Sequence, residues 1–271
     1  MRKTQKLASA AALTVAAMAP SIVLAQQPSD QWQFRASLYG WFPDIGGKTT
    51  FPAGSGSNID VTSDTIINNL KFVFMGTLEA QKGRWGAFTD IVYMDVGGSK
   101  SGTRDLRPGG GDLPGGVTAN ANLDIKGTVW TLAGSYRVAT DPAATLDVLA
   151  GARMLQIKEN LGWEFSTDIV GISPPPRIGN AEQKITNWDA IVGVKGRVAF
   201  GANREWFVPY YLDVGTGESD FTWQAIGGLG YAFRWGEIFA VWRYLDYDLG
   251  SNKGIQEVNL NGPAIGVAFR W

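Results

Sequence analysis

The chain has 271 residues, with 24 basic and 25 acidic side chains and neither histidine nor cysteine. That inventory excludes a disulfide framework, a thiol nucleophile, a Ser-His-Asp arrangement and a histidine-ligated metal. The near-balanced charge offers no basic face, so no nucleic-acid partner is expected, while 11 tryptophans and 35 scattered glycines fit an exported all-β protein.

The first element in chain order is a leader. "MRKTQKLASAAALTVAAMAPSIVLAQQ" opens with Arg2, Lys3 and Lys6, continues with an apolar stretch from Leu7 to Ala19, and carries small residues Val23 and Ala25 at signal-peptidase spacing. Cleavage after Ala25 is predicted, leaving residues 26–271 as a single domain with a net charge of about −4. Nothing after the leader approaches the roughly 18 apolar residues of a membrane helix.

Alternating segments then follow at 32–42, 71–81, 85–96, 122–138 and 145–158, and again at 187–200, 206–215, 220–235, 237–249 and 257–271. Most match the roughly 9 to 11 residues of a tilted membrane strand rather than the roughly 5 to 6 of a soluble one. The links alternate in length. Short ones fall at 82–84, 139–144, 201–205 and 235–237, long ones at 43–70, 97–121, 159–186 and 250–256, with 216–219 as a short exception. This predicts an antiparallel up-and-down transmembrane β-barrel of about ten strands, eight and twelve being the neighbouring even counts, with short periplasmic turns and long extracellular loops.

The rows of each segment assign faces. Trp188, Ala190, Val192, Val194, Val198 and Phe200 would face lipid, while Asp189, Lys195 and Arg197 face the lumen. Buried charges need partners. The inward set Arg35, Lys71, Asp90, Arg153, Asp189, Lys195, Arg197, Asp213 and Arg243 is therefore expected to form a lumen charge network, with Asp189 and Arg197 in one paired group, rather than an acid/base pair. In the loops, "RPGGGDLPGG" (107–116) lacks the GK[ST] of a phosphate loop, and "GISPPPRIG" (171–179) reads as stiff. "DVTSDTIINNL" (60–70) predicts a short helix capped by Ser63 or Asp64, with Ile66, Ile67 and Leu70 as its stripe, either folded into the barrel mouth or laid over the rim. "RWGAFTDIVYMDV" (84–96) and "RWGEIFAVWRYLDY" (234–247) share a turn-and-strand pattern that puts both turns on one rim.

The blocks "SLYGWFPDIGG", "AQKGRWGAFTDIVYMDV", "DFTWQAIGGLGYAFRWGE", "WRYLDYDL" and "GPAIGVAFRW" resemble a proteobacterial family of outer-membrane β-barrels of unassigned activity, near the small OmpA-like and opacity-type barrels. The resemblance implies fold and outer-membrane location and carries over no catalytic residue or cofactor. Enzymatic barrels of that membrane, such as omptin proteases and the outer-membrane phospholipase, use a histidine, so no enzyme is expected. The terminal row Ile265, Val267, Phe269 and Trp271 resembles the signal read by the barrel insertion machinery, and Trp271 is expected at the periplasmic rim. The expected partners are outer-membrane lipid and that machinery, for a monomer with a structural or narrow-channel role. The alternative is a surface receptor or adhesin acting through its long loops.

Overall fold

Rows of aromatic and β-branched residues at period two give each segment two usable faces, and antiparallel pairing consumes its main-chain donors and acceptors. The computed structural model describes residues 30–49, 57–106, 115–169, 177–250 and 255–271. The leader, most of the glycine-rich run and the triple proline lie outside these residues.

The strands are β1 (Gln33–Trp41), β2 (Asp44–Thr49), β3 (Ser57–Val61), β4 (Leu70–Lys82), β5 (Trp85–Leu106), β6 (Gly115–Thr140), β7 (Ala144–Ile169), β8 (Arg177–Phe200), β9 (Trp206–Gly217), β10 (Phe221–Ala232), β11 (Glu237–Asp248) and β12 (Ile255–Arg270), with helix α1 (Ser63–Asn68) between β3 and β4. β1 pairs with β4, β4 to β12 pair in chain order, and β12 returns to β1, closing a ten-stranded antiparallel barrel. The closing ladder runs from Arg35↔Arg270 to Trp41↔Ala264, and Phe34 and Trp271 exchange main-chain bonds of 2.9 and 3.2 Å at its end. β2 continues along β12 where β1 stops, and β3 hairpins back on β2.

All four short links lie on the rim where β1 begins, with Gly83 supplying the left-handed φ of 58° that the tight β4–β5 turn requires. Both RWG turns are among them. The long connections occupy the opposite rim and are largely paired. The β5–β6 ladder extends to Leu106↔Gly115 and the β7–β8 ladder to Phe165↔Arg177, so these hairpins rise well beyond the other strands.

Two aromatic belts mark the exterior. Near the turn rim, Trp206, Tyr231, Phe233, Trp235 and Phe269 touch in series at centroid distances of 4.7 to 5.8 Å, and Trp271 stacks on Phe34. The second belt includes Trp130 against Trp188 and Trp223 against Tyr244. Trp223 and Phe233 lie ten residues apart on one chain segment. With about 3.3 Å per residue and a tilt of roughly 40°, that separation spans about 25 Å, the height of a membrane barrel's apolar band. Between the belts the exterior is apolar, with Leu38, Leu78, Leu132, Val192, Leu212 and Ile265 each about half exposed.

Beyond the second belt the pattern inverts. Outward positions become polar, joined by the pairs Lys126–Asp95 and Lys158–Glu182. Inward positions become apolar: Val92, Met94, Val129, Leu155, Ile157, Leu245, Leu249, Ile255, Val258 and Leu260 form one buried cluster with Trp41, Met75 and Tyr247. The outer half of the barrel is thus built like a water-soluble β-protein, and the inner half like a membrane one.

The N-cap of α1 is Thr62, which accepts from Thr65 N at 3.4 Å; Ser63, one of the two expected caps, instead gives its N–H to Asp44 Oδ1 at 2.7 Å. Ile66 is buried and Ile67 half exposed. The apolar cluster of the outer half draws its buried side chains from β1, β4 to β7, β11 and β12, and α1 links β3 to β4.

Candidate functional site

The inward side chains of the inner half form three levels, beginning at the turn rim. β1 places Arg35 beside Glu79 of β4 in register, and the pair is joined at 2.9 Å. Arg35 also reaches Glu237, the first residue of β11, at 3.2 Å. Arg197 Nη1 donates to Glu237 at 2.5 Å, and Arg270 contacts the same oxygen. Lys195, two residues from Arg197 on β8, crosses the lumen to Glu79. Arg137 and Asp147, opposed on β6 and β7, make a bidentate pair at 2.7 and 3.0 Å. Arg197 lies 4.0 Å over the Phe207 ring and Lys195 4.4 Å over Phe88. Gly230 makes room for Phe207, since a Cβ there would come within 2.2 Å of the ring.

The second level centres on Arg243. Its guanidinium meets Asp90 at 2.9 Å, the Tyr39 hydroxyl at 2.8 Å and Gln224 Oε1 at 3.0 and 2.8 Å, while Trp41 stacks on it at 4.6 Å. Tyr39 and Thr77 both donate to Asp90, at 2.6 and 2.8 Å. At the third level Arg153 pairs with Asp213, which also accepts from Tyr211. Arg153, Asp213, Asp189, Asn187, Thr131, Thr222, Leu245 and Tyr247 are each at most 1% exposed. The lumen is filled here.

Below that layer lies a cavity of about 650 Å³, lined by the first-level charges, Tyr39, Asp90 and Arg243, and extending to Gln33, Arg270 and Trp271 at the turn rim. Its walls alternate charged groups with the rings of Phe34, Phe88, Phe207, Tyr211 and Phe239. Among the described residues no cluster of three or more His, Cys, Asp or Glu gathers to hold a metal ion.

Of the nine residues the sequence assigned to a lumen network, Arg35, Lys195 and Arg197 sit at the first level, Asp90 and Arg243 at the second, Arg153 and Asp213 at the third. Two depart from expectation. Lys71 is about half exposed and pairs with Asp124, because a register shift between Leu70 and Phe72 breaks the alternation at the start of β4. Asp189 pairs with neither Lys195 nor Arg197; its carboxylate accepts from Asn187 Nδ2 at 3.1 Å and from Ser219 N and Oγ at 2.8 Å each, bracing the 216–219 turn. Eight residues of strand put Asp189 roughly 26 Å from Arg197, beyond any side chain's reach.

Sequence reasoning passed over the acids that Arg35, Lys195 and Arg197 use. Glu79 follows Met75 and Thr77 on one row, a polar shift that marked it as inward. Glu237 falls where the 235–237 turn meets the 237–249 segment and opens β11, and Arg270 sits on the small-residue row opposite Phe269.

The solved structures that align with this chain include outer-membrane barrels. The outer-membrane protease OmpT of Escherichia coli aligns over 92% of this chain and 99% of its own, at 10% identity and a TM-score of 0.42. The translocator domain of the autotransporter NalP from Neisseria meningitidis aligns over 89% and 88%, at 16% identity and 0.38. Ail, the attachment invasion locus protein of Yersinia pestis, aligns over 89% and 99%, at 10% identity and 0.32. No protein-family model matches the chain, and no curated protein matches it. At these identities and scores, the functional reading rests on the chain's own geometry.

Proposed function

We propose that this protein is a non-conducting outer-membrane barrel with a structural role, a membrane-anchored base that holds a rigid β extension outside the cell. The filled layer around Arg153 and Asp213 carries this reading. A pore needs a continuous water path. Opening this layer would separate a buried ion pair and the hydroxyls set around it, a cost of several kcal/mol. The rim bearing the short links is the periplasmic one, and the paired hairpins project outward. Closure leaves no free strand edge in the membrane, which favours a monomer. The outward row Ile265, Val267, Phe269 and Trp271 is the face offered to the insertion machinery and then to lipid. No role in catalysis is assigned.

Single-channel recording on the refolded protein in planar bilayers tests this. We expect no resolved openings; steady unitary steps would overturn the reading in favour of a narrow channel. The receptor or adhesin alternative draws on the same extension, whose outward side chains include Asp95, Lys126, Lys158 and Glu182. It requires that deleting residues 99–120 abolish attachment to surfaces or cells while leaving the barrel folded; unchanged attachment sinks it.

A further inference from the structure

We propose that the periplasm-facing cavity is a binding site for an amphipathic organic anion, a carboxylate or phosphate head on an aromatic or short aliphatic body. The argument begins with stoichiometry. Four cations, Arg35, Lys195, Arg197 and Arg270, gather on two carboxylates, Glu79 and Glu237. Glu237, itself only 3% exposed, receives three of them. The other two acids lining the cavity are committed elsewhere: Asp147 gives both oxygens to Arg137, and Asp90 is held by Arg243. Among the side chains lining the cavity, two positive charges therefore remain in excess.

A network serving only stability gains by matching its charges, because partly desolvated cations without counter-charge are costly. An excess held in place at a cavity is the arrangement an anion completes. Arg197 reaches Glu237 through Nη1 alone among the described residues, which leaves guanidinium donors for a second acceptor. A carboxylate or phosphate would meet that fork and the Lys195 ammonium together, with the geometry that makes arginine the usual partner of such heads.

The rest of the cavity defines the body. Phe88 and Phe207 lie under Lys195 and Arg197, and with Phe34, Tyr211 and Phe239 they line the cavity, so an apolar group attached to the head meets aromatic carbon beside the charges. The volume of about 650 Å³ is well within the range of small-molecule pockets. Arg270 is half exposed at the mouth, where an incoming anion would meet it first.

The test uses the whole mature chain in nanodiscs of phosphatidylcholine, with phenyl phosphate as the calorimetric probe and inorganic phosphate and phenethylammonium as comparisons. Phenyl phosphate should bind, inorganic phosphate more weakly, and phenethylammonium not at all. The double substitution Lys195→Gln, Arg197→Gln removes both excess charges and should weaken phenyl phosphate at least tenfold. Glu79→Gln adds a charge to the excess and should tighten it several-fold, a gain that a merely structural network does not produce. Competition by added phosphatidylglycerol would identify a lipid headgroup as the source of the anion, and indifference to it a soluble one. Absence of phenyl phosphate binding, equal binding of phenethylammonium, or affinity unchanged in both variants would overturn the proposal.

Discussion

Arg243 and Arg197 carry the same guanidinium into the same lumen, yet their neighbours give the two residues different weight. Arg243 is 2% exposed and is the only cation on Asp90 among the described residues. Arg243→Ala leaves that carboxylate buried, along with Gln224, and should cost roughly 3 to 5 kcal/mol in urea unfolding from detergent. Arg197 faces the cavity, and Glu237 keeps Arg35 and Arg270 when Arg197 is lost. Arg197→Ala should therefore cost about 1 kcal/mol or less. Equal losses for the two variants would contradict this layering. Glu159 makes a separate case outside the membrane, on the inward face of β7 five residues past Met154. Burial there raises its pKa above the ordinary 4.5. The fold thus favours the protonated acid, and this contribution is complete below pH 4.5 and lost as pH rises through the higher folded value. Glu159→Gln should stabilise the protein at pH 8 and leave it unchanged at pH 4, read as the shift in unfolding midpoint at each pH. What the sequence made legible at this scale was which row a charge occupies. Partner identity depends on height along the barrel, and it was height that separated Asp189 from Arg197 and left Glu79 and Glu237 unnoticed.

β12 shows what an element adds beyond its residues. Its outward row runs from Ile265 to Phe269, and Trp271, which follows it, exchanges two main-chain bonds with Phe34 and stacks on that ring at 5.8 Å. Deleting Trp271 removes one rung of the closing ladder and one interfacial aromatic, a loss of about 2 to 3 kcal/mol. We expect the shortened chain to refold in detergent with that modest loss while accumulating unassembled in cells, as judged by outer-membrane fractionation and by the shift between boiled and unboiled gel mobility. Normal outer-membrane levels in cells would remove the assembly role. The strand faces of β8 and β10 were readable because their rows are unbroken over ten or more residues. β4 was misread at Lys71 because one bulge changes which face a residue takes, and a bulge leaves no mark in a short window of sequence. The paired rise of β5 to β8 was hidden for another reason: segments 97–121 and 159–186 are rich in glycine and polar residues, which look like loops when strand is sought by its hydrophobic content.

At the scale of the whole molecule, two environments divide the barrel near the belt of Trp130, Trp188 and Trp223. Single cysteines test this division. Lys126→Cys should react with a membrane-impermeant maleimide on intact cells, whereas Val192→Cys and Leu212→Cys should stay unlabelled until the membrane is dissolved. Labelling of all three alike would mean that the apolar band does not lie in lipid. The interior changes from charged to apolar near the level where the exterior changes from apolar to polar, so the two faces of each long strand exchange character at that belt.

That boundary also fixes how far each strand slides along its neighbour. In an ordinary sheet, a slip by two residues keeps every side chain on its own face and is opposed mainly by lost packing. Here the same slip toward the turn rim would draw the carboxylate of Asp95 and the ammonium of Lys126 toward hydrocarbon, and the opposite slip would lift Trp188 and Trp130 into water. A lysine charge costs about 0 to 1 kcal/mol near the interface and about 2 to 4 kcal/mol at the bilayer midplane, so the cost climbs with each further slip and the bilayer acts as a ruler laid across the strands. The thickness of the surrounding lipid thus biases register along the axis, while alternation sets the inward and outward faces.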